Sequence, residues 1–279
     1  LPVFSKKIRI SSSISFSMSK LGLSSVITAT VSFVSDSYLN KPILNDIINF
    51  LKEVLFNPFI VDGGFRDESV LEEKRLLKDY FDSIKDDKTE YALRTMKKHL
   101  YGIEKFGISP IGYLEDLDKI DGKSLYREYK RMIDSDSVEV IVTGDYEDIS
   151  FVNEMDLGTN YQVTVIDKPK KKRKLKEITE KMKLNQAKLN LAFRTGITHD
   201  NDQYYSMVMA NAILGASPNS LLFESLREKH SLCYYVRSSY VPFNGEMYIY
   251  SGVNDSNILK ATELVLQEIE NLKEGHFEG

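Results

Sequence analysis

The chain has 279 residues, longer than one ordinary domain, so one large domain or two of common size are expected. Hydrophobic residues make up 42% and charged residues 28%, the balance of a soluble globular protein. The net charge of −4 excludes a global basic field for nucleic acid, and no run reaches the ~18–20 apolar residues of a membrane span. Cys233 is the only cysteine, which excludes an intrachain disulfide framework and fits a reducing compartment. The opening LPVFSKKIRI lacks a signal-peptide layout, so the cytoplasm is the expected setting, with a mitochondrial matrix the alternative if a transit segment has been removed. The chain lacks an initiator Met and stops at HFEG just past a helix, so both ends are expected to be cuts in something longer.

In chain order, residues 13–19 alternate Ile14, Phe16 and Met18 with serines, and Ser25 to Phe33 is β-branched. These predict two strands, joined at Leu21-Gly22. Pro42 opens a helix over Ile43 to Phe56, which Asn57-Pro58 ends. Asp62-Gly63-Gly64 predicts a turn. Asp67 is a candidate cap for a helix to about Ile84, with Val70, Leu77, Tyr80, Phe81 and Ile84 inward. Helices over Thr89–Tyr101 and from Asp121, with Ser124 behind the cap, come next. VEVIVT (Val138 to Thr143) predicts a strand ending at Gly144-Asp145.

KPKKKRKLK (Lys168 to Lys176) interrupts two hydrophobic regions and reads as an exposed linker. No aromatic residue interleaves it, which weighs against a nucleic-acid patch. Beyond it, Ala187 to Thr195 alternates as a strand. Asp200 is placed to cap a helix over Gln203–Leu214, and Ser217-Pro218 to open a short helix over Asn219–Glu228. Strands over Leu232–Val241 and Glu246–Val253 meet at Asn244-Gly245, a hairpin signal. Asp255 or Ser256 is placed to cap a last helix with Ile258, Ala261, Val265 and Ile269 inward. The expected fold class is α+β: two similar sandwich domains, each a mainly antiparallel sheet with helices on one face, both incomplete. The expected boundaries are 1–165, a linker at 166–184, and 185–279.

Much familiar chemistry is missing from the sequence. His99, His199, His230 and His276 lie too far apart for helical ligand pairs, and no His-x-x-Glu-His or its inversion occurs. One cysteine cannot build a thiolate zinc site, and neither a Gly-x-Ser-x-Gly elbow nor a phosphate-binding glycine loop is present. Cys233 reads as a small buried hydrophobe. Taken singly, Arg227 is a helix-end cation and Tyr234 a strand aromatic.

The order of residues around that pair changes the reading. Gly215-Ala216-Ser217, Leu222-Phe223, Leu226-Arg227-Glu228 and Tyr234-Tyr235-Val236 resemble, in sequence, the C-terminal-domain signature of the pitrilysin/insulinase zinc peptidases, which include the mitochondrial processing peptidases. LKEVLFNP at 51–58, Pro110-Ile111-Gly112 with Glu115-Asp116-Leu117, and VIVTGD at 140–145 resemble further segments, so the likeness runs along nearly the whole chain. It implies that Arg227 and Tyr234 reach into a zinc site, the phenol donating to the scissile carbonyl and the guanidinium holding the substrate backbone. Aligning EKRLLKDYF (Glu73 to Phe81) with the family's second zinc-ligand helix puts Tyr80 where a Glu ligand belongs. A slip of one brings the shorter Asp79 there.

The resemblance therefore implies a zinc-less partner type, with no metal or other cofactor held by this chain and zinc in a partner. Such a chain is a subunit or half of a two-part metallopeptidase that binds extended, unfolded peptides and supplies Arg227 and Tyr234 to a metal-bearing homologous subunit, as a heterodimer or in a homodimer. Nucleic acid and membrane partners are not expected. Two alternatives stay open: a catalytically inactive, chamber-forming interaction subunit, and a complete metallopeptidase whose zinc motif lies upstream.

Overall fold

The computed structural model describes residues 12–21, 23–102, 104–144, 150, 152 and 175–277. Helices and small antiparallel sheets alternate along the chain. The described residues fall into two compact units. One lies within Leu1–Lys20, Ser24–Tyr80 and Ser109–Val165, the other within Leu21–Leu23, Phe81–Ile108 and Ile166–Gly279. Most of the basic run, residues 168–174, lies outside the described residues, as do Gly22 and Asp145.

In the first unit, β1 (Ser12–Leu21) and β2 (Ser24–Phe33) form a two-stranded sheet. Helix α1 (Leu44–Phe56) buries Ile47 and Ile48 and ends at Asn57, where the following proline disfavours helical geometry. Asp62 and Gly63, both at positive φ, make the two-residue turn between β3 (Ile60–Val61) and β4 (Gly64–Phe65). Helix α2 (Asp67–Asp86) follows, and the division between the units falls inside it. Helix α4 (Gly122–Ser135) starts with a reciprocal capping box between Asp121 and Ser124. Its Tyr129 hydroxyl donates to the Leu55 carbonyl at 2.6 Å, and Tyr126 and Tyr129 both pack edge-on against Phe65.

Two expectations fail in this unit. Residues 138–143 form no strand. Val138, Val140 and Ile141 are exposed, Ile141 at 80%, and an extended segment without a ladder partner is not held as a strand. On α2, Val70 and Ile84 are buried as expected, whereas Leu77 and Tyr80 are exposed.

The second unit is built on a three-stranded antiparallel sheet ordered β5 (Ala187–Arg194), β7 (Glu246–Val253), β6 (Cys233–Val241). Period-2 alternation sorts its residues. Leu189, Leu191 and Phe193 of β5, Met247, Ile249 and Val253 of β7, and Val236 of β6 join one apolar core with Leu214, Leu222, Leu226, Ala261 and Val265 of the helical layer. That layer comprises α5 (Tyr204–Asn211), two π-helical segments, and α6 (Ile258–Glu274). Gly275, in left-handed geometry, ends α6, and the His276 amide donates back to Asn271 at 2.8 Å.

The helix expected over Gln203–Leu214 winds as α-helix only to Asn211 and as π-helix over Ala212–Ala216. Gly215 explains the tight approach: a Cβ there would lie 2.8 Å from the Ser238 backbone nitrogen. The short helix starts after a turn at 217–219 rather than at Asn219. Ser220 then accepts from the Glu224 amide at 2.9 Å, so Ser217 is not the cap.

The opposite face of the sheet is covered at one end by α3 (Lys88–Tyr101), which Asp87 caps by accepting from Thr89 and Glu90. Here Glu246 is fully buried. Its Oε2 accepts from the Tyr248 hydroxyl at 2.7 Å and from the Tyr101 hydroxyl. Its Oε1 meets Arg194 Nε at 3.8 Å, an ion-pair distance rather than a hydrogen bond. Arg194 also donates to Glu104 at 3.0 Å, and Asn244 donates to the Tyr101 hydroxyl at 2.6 Å. Desolvation, with the negative charge of Glu246 beside it, pushes the Tyr101 phenol upward. Desolvation first, then Tyr101 and Glu246, push Tyr248 the same way.

Removing the Glu246 carboxylate leaves two buried phenols without their charged acceptor and Arg194 with Glu104 as its ion-pair partner. Glu246→Ala is expected to lower the unfolding free energy by about 3–5 kcal/mol, measured by urea titration. The raised phenols give a second outcome. The unfolded chain releases their protons near pH 10 while the folded chain keeps them, so stability falls as pH climbs past about 10. Phenolate absorbance on stepwise alkalinisation is expected to show these two tyrosines ionising only with unfolding, and Tyr101→Phe to make the alkaline decline shallower.

Candidate functional site

Arg227 and Tyr234 are placed by one short connection. Its apolar anchors are Leu222 and Leu226, both fully buried against the sheet. Phe223–Lys229 winds as a π-helix, a geometry frequent at functional sites. The His230 amide donates to Ser225 at 3.2 Å, Ser231 to Arg227 at 3.1 Å, and Leu232 to Leu226 at 2.8 Å. A His230 ring nitrogen also donates to the Ser225 carbonyl, Nδ1 at 2.8 Å. Ser231 has φ +51°, a left-handed conformation unusual outside glycine, asparagine and aspartate. The chain thus reverses within a few residues, with its polar groups satisfied internally.

On the helical side, the Arg227 guanidinium lies over the Phe223 ring, 4.7 Å from its centroid, and its Nε is 3.7 Å from Glu228 Oε1. The side chain is 45% exposed. On the strand side, Cys233 pairs with Val253 and Tyr235 with Gly252, so Tyr234 is the extra residue of a β-bulge. A bulge re-aims a side chain out of the ladder, and Tyr234 is 76% exposed. Cys233 is half-buried; desolvation raises its thiol pKa, and its hydrogen bond with Ser251 and the nearby charge of Arg227 oppose the rise. The Arg227 charge therefore acts on the residue next to Tyr234. Both expected site residues stand at the outer surface of the same connection.

The other sequence candidates are dispersed. His99 lies 3.4 Å from Lys176 Nζ, the His199 ring is tilted against Phe243 with centroids 4.7 Å apart, and His276 lies 3.1 Å from Glu274. Tyr80 is on α2. The neighbouring Asp79 is engaged at 3.1 Å by Arg75, which also pairs with Glu72 one turn earlier at 2.8 Å. Among the described residues, no group of three His, Cys, Asp or Glu side chains is arranged to hold a metal ion. No helix among the described residues is long and apolar enough to cross a membrane.

A family profile described as "Peptidase M16 inactive domain" matches residues 119–278, more than half of the chain. The chain belongs to the M16 peptidase inactive-domain family. Among curated proteins it is similar to the "Probable inactive metalloprotease YmfF" of Bacillus subtilis (strain 168), 27% identical over 95% of this chain and 64% of that protein. It is also similar to the "Uncharacterized zinc protease YmxG" of the same organism, 24% identical over 83% of this chain and 57% of that protein. A conserved protein from Enterococcus faecalis V583 superposes with a TM-score of 0.85 at 30% identity, over 96% of this chain and 64% of its own. The peptidase M16 inactive domain from Pseudomonas fluorescens gives a TM-score of 0.71 at 17% identity, over 95% and 63%, a likeness of fold. This M16 chain thus spans less than two thirds of the length of the relatives it matches.

Sequence reading missed the Glu246 cluster. Its only trace was Glu246 at the head of a strand otherwise rich in apolar residues. It also missed the π geometry, for which the sequence carries no signal. The strained turn yields a test. Ser231→Gly is expected to preserve the fold with unchanged or slightly raised thermal stability, whereas Ser231→Val, β-branched at positive φ, costs about 1–3 kcal/mol in chemical denaturation.

Proposed function

We propose that this M16 chain is the zinc-less subunit, or half, of a two-part metallopeptidase, and that it lends Arg227 and Tyr234 to the metal site of a homologous partner in a heterodimer or a homodimer. The observation that carries the reading is the bulge that lifts Tyr234 out of its strand beside an exposed Arg227, on a connection whose backbone is fixed from both sides. Family membership, a relative named as an inactive metalloprotease and Tyr80 in place of a carboxylate support it. The sheet with its helical layer would be one of two sandwich domains facing the substrate, bounded as the sequence suggests at about residues 165 and 185. A cytoplasmic setting goes with a chain that forms no intrachain disulfide.

The partner supplies the metal-activated water and the general base. This chain's residues handle the peptide. The Tyr234 hydroxyl donates to the scissile carbonyl as its oxygen gains charge, a contribution of about 3 kcal/mol for one well-aimed donor. The planar guanidinium of Arg227 presents a fork to the substrate's backbone carbonyls. The substrate is an unfolded peptide held in extended form.

The test mixes the full-length chain with a metal-bearing M16 homologue of its organism and follows cleavage of a quenched fluorogenic peptide. Tyr234→Phe is expected to lower kcat by about 100-fold with KM little changed, and Arg227→Ala to raise KM. Full activity in both variants overturns the composite site.

A further inference from the structure

The sheet face opposite the helical layer has two chemically different ends. Register places Arg194, Glu246 and Val241 side by side at one end and Lys188, Gly252 and Tyr235 at the other, with Asn190, Tyr250 and Arg237 next to the latter. The first end is sealed by α3 through Tyr101, and Lys97 lies over the Tyr248 ring. The second end is open. Arg237 is exposed, Lys188, Asn190, Tyr235 and Tyr250 are partly so, and Tyr250 is the only residue of β7 that is not buried.

That open end has a defined construction. Gly252 leaves room for the Tyr235 ring, whose Cε1 would lie 2.7 Å from a Cβ at that position. The ring in turn sits 5.3 Å beneath the Lys188 ammonium. Tyr250 lies between Asn190 and Arg237. The result is an aromatic floor with a cation at each side and an amide donor. None of these six residues is acidic, and neither Lys188 nor Arg237 has a carboxylate within ion-pair distance among the described residues. An ammonium over a tyrosine ring and an exposed guanidinium across the same sheet face, neither with a carboxylate partner among the described residues, form a surface complementary to an anionic, extended chain. Its edge is Tyr235, the residue next to Tyr234.

We propose that this face is a specificity surface for acidic polypeptide segments. Lys188 and Arg237 pair with Asp or Glu side chains of the substrate, while Tyr235 and Tyr250 cover its backbone and apolar side chains. The proposal rests on the peptide-binding reading above and adds the substrate class to it.

Equilibrium binding of dye-labelled unstructured peptides to the full chain, followed by fluorescence anisotropy, tests it. Three peptides of equal length carry clustered Asp/Glu, Ser/Gln or Lys at the same positions. The acidic peptide is expected to bind about fivefold or more tightly than the neutral one, the sum of two exposed ion pairs, and the difference is expected to shrink as salt is raised. Lys188→Ala/Arg237→Ala should abolish the preference, while Lys273→Ala, removing a cation paired with Glu270 on α6, should leave it intact. If all three peptides bind equally, or the preference survives the double substitution, the specificity surface is overturned and the composite-site reading stands. If no peptide binds, the peptide-binding reading falls with it.

Discussion

A carboxylate with no exposure to water must be answered by hydrogen-bond donors or an opposite charge, and Glu246 imposes that requirement on the second unit. Tyr248 of its own strand, Tyr101 at the end of α3, and Arg194 across the ladder all converge on it, and Glu104 and Asn244 bind those partners in turn. This fixes α3 on one end of the sheet. It also fixes the register of β5 and β7, since Arg194 and Glu246 are direct cross-strand partners. A slip by one residue would move Glu246 into the apolar core and Met247 onto the polar face. With the central strand so pinned, β6 has one position to pair with, and the bulge at Tyr234 falls at a defined place.

The opposite end of β6 is governed by apolar burial and backbone closure instead. Leu222 and Leu226 anchor the helix that carries Arg227, and the amides of residues 230–232 are consumed by the helix's last carbonyls. Of the two exposed side chains, Arg227 touches its own connection only through the Phe223 ring and Glu228, both on the helix that carries it. The backbone closure and the Leu222 and Leu226 anchors are made by other residues than the two exposed side chains, so substitutions at Arg227 and Tyr234 leave those anchors in place.

The strands of the second unit, the α4 capping box and the Arg227–Tyr234 segment were legible because each is written in local pattern: alternation, an Asp-x-x-Ser spacing, an ordered run of Leu-Phe, Leu-Arg-Glu and Tyr-x-Val. Residues 138–143 misled for the same reason. Their β-branched run satisfies local propensity, while strand formation depends on a partner that propensity does not encode. The π windings at Ala212–Ala216 and Phe223–Lys229 have no local signature; the first runs close against β6, where a Cβ at Gly215 would lie 2.8 Å from the Ser238 nitrogen. The Glu246 cluster brings together residues about 145 positions apart, so pattern could point to its members singly but not to their meeting.

Cys233 gains a different significance from its position. It is the chain's sole thiol, half-buried between Arg227 and the bulge, with burial holding it in the protonated, unreactive form. Its alkylation is expected to speed up as the start of β6 loosens, since Cys233 packs against the apolar core there. The protein therefore contains its own gauge of local opening, one residue before Tyr234. The rate at which that sulfur is captured reports how tightly the connection closes, and how that tightness changes when something settles against Tyr234.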